Sequence, residues 1–560
     1  MRTHSISPRS FFLMMVLCLL SALASTAAQT APPQSATPSG GYRIAGTVVS
    51  KIDSHPLARA RVTVRDAKDQ RKFESMVTAE DGKFAFTGLP AGKYSLEGQK
   101  RGFIAAGYEQ HDQYSTAIVT GSGLDTESLT LRLAPTAIIS GKVLDEAGDP
   151  IRHAMVTVYY NDHSSGIDEI RQSHTAQTDD QGAYEITPLM PGTYFLSASA
   201  KPWYAMHPNS SDAAPQGKPA ESADAADLDR SLDVAYPLTY YPDVTDADSA
   251  TPIPIRGGER LQVDVHLNPV PSLRLLFRVP NNDNGFSFPQ LEQSTFTSST
   301  ILQHDGTRLV SSGLVEITGV PAGRYNVRLN GPGPAIQMNG VDLAKDGEEI
   351  DTSSGEVLSP VKVTVQVPGE TSIPARLFIG LGSAHKATAG VQQVNDKGEA
   401  EFPQIPSGRY QLLVWSSTKP YSIAHLSAEG AEVSGHTLTV TGGSTPTVSL
   451  TLVGGSLNID GIAQRDGKPF AGAMVVLVPK NPETNRELFR RDQSDLDGTF
   501  SLRDVVPGSY TVLAIDNGWD LDWSQPAIIA AYLKYGRSFE VGTKTGHTMN
   551  LPNPVEVQSK

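Results

Sequence analysis

The chain has 560 residues, enough for three to five domains at ordinary domain size. Charged residues make up 19% and hydrophobic residues 39%, which argues against both a disordered and a membrane-embedded chain, while 50 glycines and 39 prolines without a short strict period exclude collagen and suit a turn-rich all-β protein. A net charge of −14 repels phosphate backbones and argues against nucleic acid as a partner.

The first element is an address. Arg2 and Arg9 give a positive start, and Phe11 to Leu20 form an apolar run too short to span a bilayer comfortably. Ala22-Leu23-Ala24, or Thr26-Ala27-Ala28, supplies small residues for cleavage. Residues 1–28 therefore read as a secretory signal peptide. Cys18, the only cysteine, lies inside it, so the remaining chain has no disulfide, thiol nucleophile or Cys-based metal site. Leu17 before Cys18 argues against lipoprotein processing. Residues 29–41, rich in Pro, Ser, Thr and Ala, read as a flexible leader. No later stretch is long and apolar enough to cross a membrane.

From there the chain repeats itself. Glycines at Gly82, Gly182, Gly313, Gly398 and Gly498 are each followed, twelve positions on, by Tyr94, Tyr194, Tyr325, Tyr410 and Tyr510. A second glycine stands two before each tyrosine, with a proline just ahead of it. Asp81-Gly82 and Asp497-Gly498 are tight-turn dipeptides. Phe84 and Phe86 then alternate with polar neighbours, as do Tyr184/Ile186, Val315/Ile317, Ala400/Phe402 and Phe500/Leu502, which predicts a strand with one buried face. The Pro-Gly pair predicts the next turn, and the tyrosine opens the following strand in the manner of a tyrosine corner. Three copies are preceded by a strand, a Pro-containing loop and a second strand, opening at Gly46, Gly141 and Gly461.

This order of strand, loop, strand, D-G-x-F-x-F and P-x-G-x-Y resembles the carboxypeptidase regulatory-like domain, a prealbumin-like (transthyretin-like) sandwich. The first, second and fifth units carry the whole pattern, and the third and fourth only its second half. Tyr240-Tyr241-Pro242-Asp243 through Leu267 is similar to segments in tandem exported proteins of soil bacteria. The resemblance implies an all-β tandem array of about five Greek-key β-sandwich domains, prealbumin-like and Ig-like. The units are expected at 42–134, 136–268, 270–355, 356–453 and 454–554, with a mobile insertion at 209–230. Linkers of a few residues imply a semi-stiff rod.

The search for chemistry finds little. In the resembled enzymes the zinc domain is a separate unit marked by H-x-x-E, and neither that motif nor H-E-x-x-H, G-x-S-x-G or a phosphate loop occurs. No catalytic residue and no cofactor is expected. Asp492, Asp495 and Asp497 form a weak calcium candidate in a turn, without EF-hand spacing. Aromatics at Trp203, Tyr204, Tyr240, Tyr241, Trp519 and Trp523 either stack on sugar rings or cap the core at domain junctions. No complete Lys–Asn isopeptide set is found, and Pro526 to Tyr535 reads as a short helical lid on the fifth unit. The readings that follow are an exported (periplasmic, cell-surface or extracellular) spacer, adhesin or envelope scaffold, or a carbohydrate-binding array. Partners would be envelope or extracellular proteins, or polysaccharide.

Overall fold

The computed structural model describes residues 41–121, 123–207, 230–280, 287–304, 306–331, 335–383, 386–417, 421–454, 457–483, 485–542 and 548–560. The expected signal peptide, all of the leader but Gly41, and all of the insertion but Arg230 lie outside the described residues. The fold is all-β, built as five successive two-layered units, with one α-helix, Pro526–Leu533, among the described residues.

Each unit is built on the same frame. Its opening strand lies between an antiparallel strand that follows the Asp-Gly-type turn and a parallel strand near the unit's end. In the first unit Tyr42–Ser50 sits between Lys83–Leu89 and Leu129–Leu133. In the second, Ala137–Leu144 sits between Ala183–Leu189 and Arg260–Gln262. Val270–Arg278, Ser359–Gln366 and Leu457–Arg465 repeat the arrangement in the remaining three. The facing sheet is centred on the strand that carries the repeat tyrosine: Gly92–Gln99 pairs with Arg61–Asp66, and Gly192–Ser199 with Met155–Asp162. Alternate residues from the two layers fill each core. In the first unit Ile44, Val48, Val62, Phe84, Phe86, Leu96 and Leu131 are all buried.

Two devices recur in every copy. The turn glycines Gly82, Gly182, Gly313, Gly398 and Gly498 all have φ between +68° and +84°, the left-handed region where other residues are strained. Each repeat tyrosine donates its hydroxyl hydrogen bond to the backbone carbonyl four residues upstream. The acceptors are Pro90, Met190, Pro321, Pro406 and Val506, at 2.8–3.0 Å. The ring is thereby packed into the core while its polar end ties down the turn before it.

The third and fourth units, which show only half the pattern in sequence, are complete sandwiches with cores of their own. Unit five runs past its expected end at 554, since Val555–Ser559 pairs with Gly508–Asp516, and two short strands fall on the far side of an expected boundary between units. Val234–Ala235 pairs with the opening strand of unit three, and Glu356–Val357 pairs with Ile336–Leu343 of the same unit. Both bury backbone donors and acceptors that would otherwise line a bare sheet edge.

The fifth unit departs from a plain sandwich. Its strand Met474–Pro479 is buried along its whole length, because both faces are covered. One face meets the inner core. The other, through Met474, Val476 and Val478 with Leu513 and Ile515, is roofed by Phe489, Trp523 and helical Ile529. The helix Pro526–Leu533 is thus a lid on the outer face.

Unit five does not continue a rod. Leu496, in its Asp-Gly turn, packs against the core of unit one, and its amide donates to the Ala117 carbonyl at 3.0 Å. The chain closes back on its beginning across some 380 residues. Short linkers limit the freedom of neighbouring units, but they do not prevent a distant pair from meeting.

Candidate functional site

Polar side chains from three sandwiches meet at the junction of units one, two and five. From unit five, the edge strand Arg490–Gln493 and the turn after it face the loop 109–117 of unit one and the loop 163–166 of unit two. Glycine and aspartate make that turn for local reasons, and the same side chains then reach outward.

Two of the three calcium candidates are occupied by this contact. Asp495 Oδ2 lies 2.5 Å from Lys93 Nζ of unit one, and its Oδ1 accepts from the Ala117 amide at 2.9 Å. Asp497 Oδ1 is 4.0 Å from the same lysine. Asp492 faces another way, accepting from the Ser501 amide at 2.6 Å. The three aspartates do not converge, and among the described residues no three His, Cys, Asp or Glu side chains stand close enough to hold a metal ion. Burial pushes Asp495 up from the ordinary carboxylate range, and Lys93 opposes that shift. Burial also pushes Asp492 up, to about 6, against the opposing pull of the Ser501 and Gln493 amides and of Arg503.

Asp492 therefore works against the fold at neutral pH. Its raised pKa means that the folded state disfavours the ionised form. The penalty is absent below the unfolded value near 3.8, grows between there and about 6, and is complete above 6. Two pKa units correspond to about 3 kcal/mol as an upper bound. Asp492→Asn keeps an acceptor for Ser501 and removes the charge. We expect it to raise the melting temperature at pH 7 and to leave it unchanged at pH 4, as read by thermal unfolding at the two pH values.

Arg491 is the centre of the junction. Its side chain is buried, its Nη2 donates to Asp112 Oδ2 at 3.1 Å and to the Ser164 carbonyl at 3.0 Å, and its guanidinium lies 4.3 Å from the Trp523 ring centroid. Gln493 Nε2 donates to the Glu109 carbonyl at 2.6 Å and to Thr116 Oγ1 at 2.7 Å. His163 of unit two meets the Leu521 carbonyl through Nε2 at 2.8 Å and Asp168 through Nδ1 at 2.9 Å. Burial lowers its pKa, but these partners and Asp522 outweigh that and raise it. Trp523 is buried against Gly166, and Trp519 stacks on His111 with centroids 4.9 Å apart and planes within 4°.

Beside these contacts the three units enclose a cleft of about 1100 Å³. Lys51, Ile52, Arg132 and Glu109 line it from unit one, Tyr160, Met190 and Arg256 from unit two, and Arg491 and Trp519 from unit five.

The remaining aromatic candidates lie elsewhere. Tyr240 is buried at the second junction, where Phe296 of unit three inserts against Tyr159, Phe195 and Tyr240 with centroids 5.0–5.7 Å apart. Tyr241 packs partly on the core of unit two. Trp203 is 87% exposed, with Tyr204 edge-on at 5.8 Å. The Tyr204 and Tyr236 hydroxyls donate to the two oxygens of Glu146 at 2.5 and 3.0 Å. Burial raises the Glu146 carboxyl, yet these bonds bring it below its usual range.

Sequence reading missed two constellations. One is the set His111, Asp112, His163 and Arg491, whose members have no motif and meet only because unit five returns. The other is His207, Asp233 and Ser272. Asp233 and Ser272 both meet His207 Nδ1, at 2.8 and 3.2 Å. A nucleophile and its base need opposite ring nitrogens, so this trio fastens unit two to unit three rather than activating the serine.

Residues 43–126 and 138–206 match the family model of the carboxypeptidase regulatory-like domain. The first two units are carboxypeptidase regulatory-like domains. The fifth unit repeats the motifs of these regulatory-like domains but lies outside the match. No curated protein matches the chain. Solved structures that resemble it include the Bacillus anthracis TIE protein, 10% identical over 74% of each chain with a TM-score of 0.18. A minor pilin of Streptococcus agalactiae is 12% identical over 41% of this chain and 97% of its own, with a TM-score of 0.21. Two B repeat units of the collagen-binding protein of Staphylococcus aureus are 10% identical over 74% of this chain and 99% of theirs, with a TM-score of 0.13. Among the described residues no helix is long and apolar enough to cross a membrane.

Proposed function

We propose that this protein is an exported, non-catalytic scaffold that acts by binding, with its last unit docked onto its first two. Residues 1–28, with their signal-peptide layout, support export to the periplasm, the cell surface or the medium. The observation that carries the binding reading is the use made of the polar side chains. Asp495, Gln493, Arg491, His163 and the trio at His207 are each spent on holding one sandwich to another. The partner would be an envelope or extracellular protein, met through loops and edge strands.

A second reading, carbohydrate binding, is favoured by Trp203 alone. An indole that is 87% exposed, backed by a tyrosine fixed on a carboxylate, is a platform on which a sugar ring can stack. Trp523 is buried and Trp519 is stacked on His111, so neither stands clear of the protein as Trp203 does. One experiment separates the readings: retention of the purified exported chain, and of Trp203→Ala, on a panel of insoluble polysaccharides, with soluble products assayed. The scaffold reading predicts no retention that depends on Trp203 and no product. Retention that falls about tenfold or more in Trp203→Ala supports the carbohydrate reading. Release of soluble sugar overturns the non-catalytic claim.

A further inference from the structure

We propose that the cleft between units one, two and five binds an extended acidic peptide segment with apolar side chains, a partner class that rests on the scaffold reading. The charge inside the cleft opposes that of the chain. Its acids are engaged: Glu109 with Arg132 at 2.9 Å, Asp112 with Arg491 at 3.1 Å and Asp162 with Arg171 at 3.2 Å. Lys51 and Arg256 also line it, and neither side chain has an ion pair or hydrogen bond among the described residues. Two uncommitted cations therefore stand on its wall in a protein of net charge −14, where a low-dielectric recess focuses their field.

The apolar part of the wall selects between anionic ligands. Ile52 is 61% and Met190 49% exposed, and both open into the cleft. They belong to the same rim as the cations: Ile52 follows Lys51 in the chain and approaches the Arg256–Gly258 turn, while Pro191, next to Met190, lies against Gly257. The aromatic rings are less available. Trp519 is covered by His111 and Tyr160 by Tyr194. A wall of aliphatic side chains beside two free cations, with no bare ring, suits alternating carboxylates and aliphatic groups better than a uronic-acid chain. At about 1100 Å³ the cleft exceeds the volume of a usual small-molecule pocket and has room for several residues of extended chain.

The test uses the full exported chain and a fluorescein-labelled ten-residue peptide of alternating Glu and Val, with Gln/Val and Lys/Val analogues and a galacturonate oligomer as separate arms. Binding is read by anisotropy at two salt concentrations. The expected result is binding of the Glu/Val peptide alone, weakened by salt, and weakened at least tenfold in Lys51→Glu/Arg256→Glu. Both side chains are exposed and unpaired, so this variant should melt like the wild type. Lys51→Arg/Arg256→Lys should retain binding. The proposal is overturned if the Glu/Val peptide does not bind, if it binds the charge-reversed protein equally well, or if the galacturonate oligomer binds in its place. If peptide binding fails while unit five stays docked, this proposal falls and the scaffold reading stands. Release of sugar from the polysaccharide panel would strike the scaffold reading instead.

Discussion

Gly141→Ala should destabilise the second unit by about 3 kcal/mol or more, at or beyond the top of the usual range for overpacking. A methyl group built at Gly141 would lie 1.8 Å from the Val263 carbonyl oxygen and 2.6 Å from its carbon. That carbonyl cannot retreat. It accepts from the buried Tyr184 hydroxyl at 2.6 Å, and the Val263 amide is bonded to Ser140 at 2.8 Å. The clash arises where the opening strand meets the returning parallel segment, so relief requires separating the central pair of the sheet. Gly46 repeats the arrangement in unit one, with the Leu129 carbonyl oxygen 2.1 Å from the same hypothetical methyl. Gly472→Ala is the control. There φ is +80° and nothing lies within 4 Å, so only backbone strain of about 1 kcal/mol is expected. Urea unfolding of the five-unit chain, followed by intrinsic fluorescence, should show a lower midpoint for Gly141→Ala than for Gly472→Ala. Equal midpoints would mean that the parallel return strand is not held as described.

Arg491→Ala should free the fifth unit from the first two. The substitution leaves Asp112 without its cation, the Ser164 carbonyl without a donor and the Trp523 ring without its guanidinium. Removing one member of a largely buried ion pair costs about 3 kcal/mol, enough to compete with the docking of a single unit. The expected readout is a rise in the radius of gyration by small-angle scattering, with the far-ultraviolet spectrum unchanged. Because Arg491 also touches the aromatic roof of its own unit, Lys93→Glu gives an independent check from the opposite side. It places a carboxylate against Asp495 and Asp497 without altering unit five. If both variants keep the wild-type dimensions, these side chains do not hold the closure.

What could be read in the sequence follows from how local each feature is. The Gly-to-Tyr interval, the Pro-Gly turn and the period-two alternation are short-range, and they point to the strands Lys83–Leu89 and Gly92–Gln99 and to their counterparts. The tyrosine hydroxyl bond spans only four residues, so its analogy with a tyrosine corner was also within reach. The opening strands of units three and four were harder to see. Leu273, Leu275 and Phe277 do alternate, but the Gly…Pro…Ala markers that announce this strand elsewhere are missing. The closure could not be read at all. Lys93 and Asp495 are 402 residues apart, and each sits in a turn or strand that its own unit already explains. Short linkers suggested a rod because linker length speaks only of adjacent units. Trp203 and Trp523 look equivalent in sequence, yet one is in solvent and the other is buried as part of a helix-bearing roof. Which of the two fates an aromatic meets depends on a segment that packs from elsewhere.

The central claim is that the array is closed by its last unit, and Lys93 and Asp495 offer the most direct test. A zero-length carbodiimide joins only an amine and a carboxylate already in contact, and these are 2.5 Å apart. Treatment of the five-unit chain at low protein concentration, followed by peptide mass spectrometry, should give a Lys93–Asp495 link in the monomer band. Lys560–Asp520, also at 2.5 Å but within unit five, is the internal control. A control link without the Lys93–Asp495 link, or the latter only in dimers, would contradict the closed arrangement and restore the open rod.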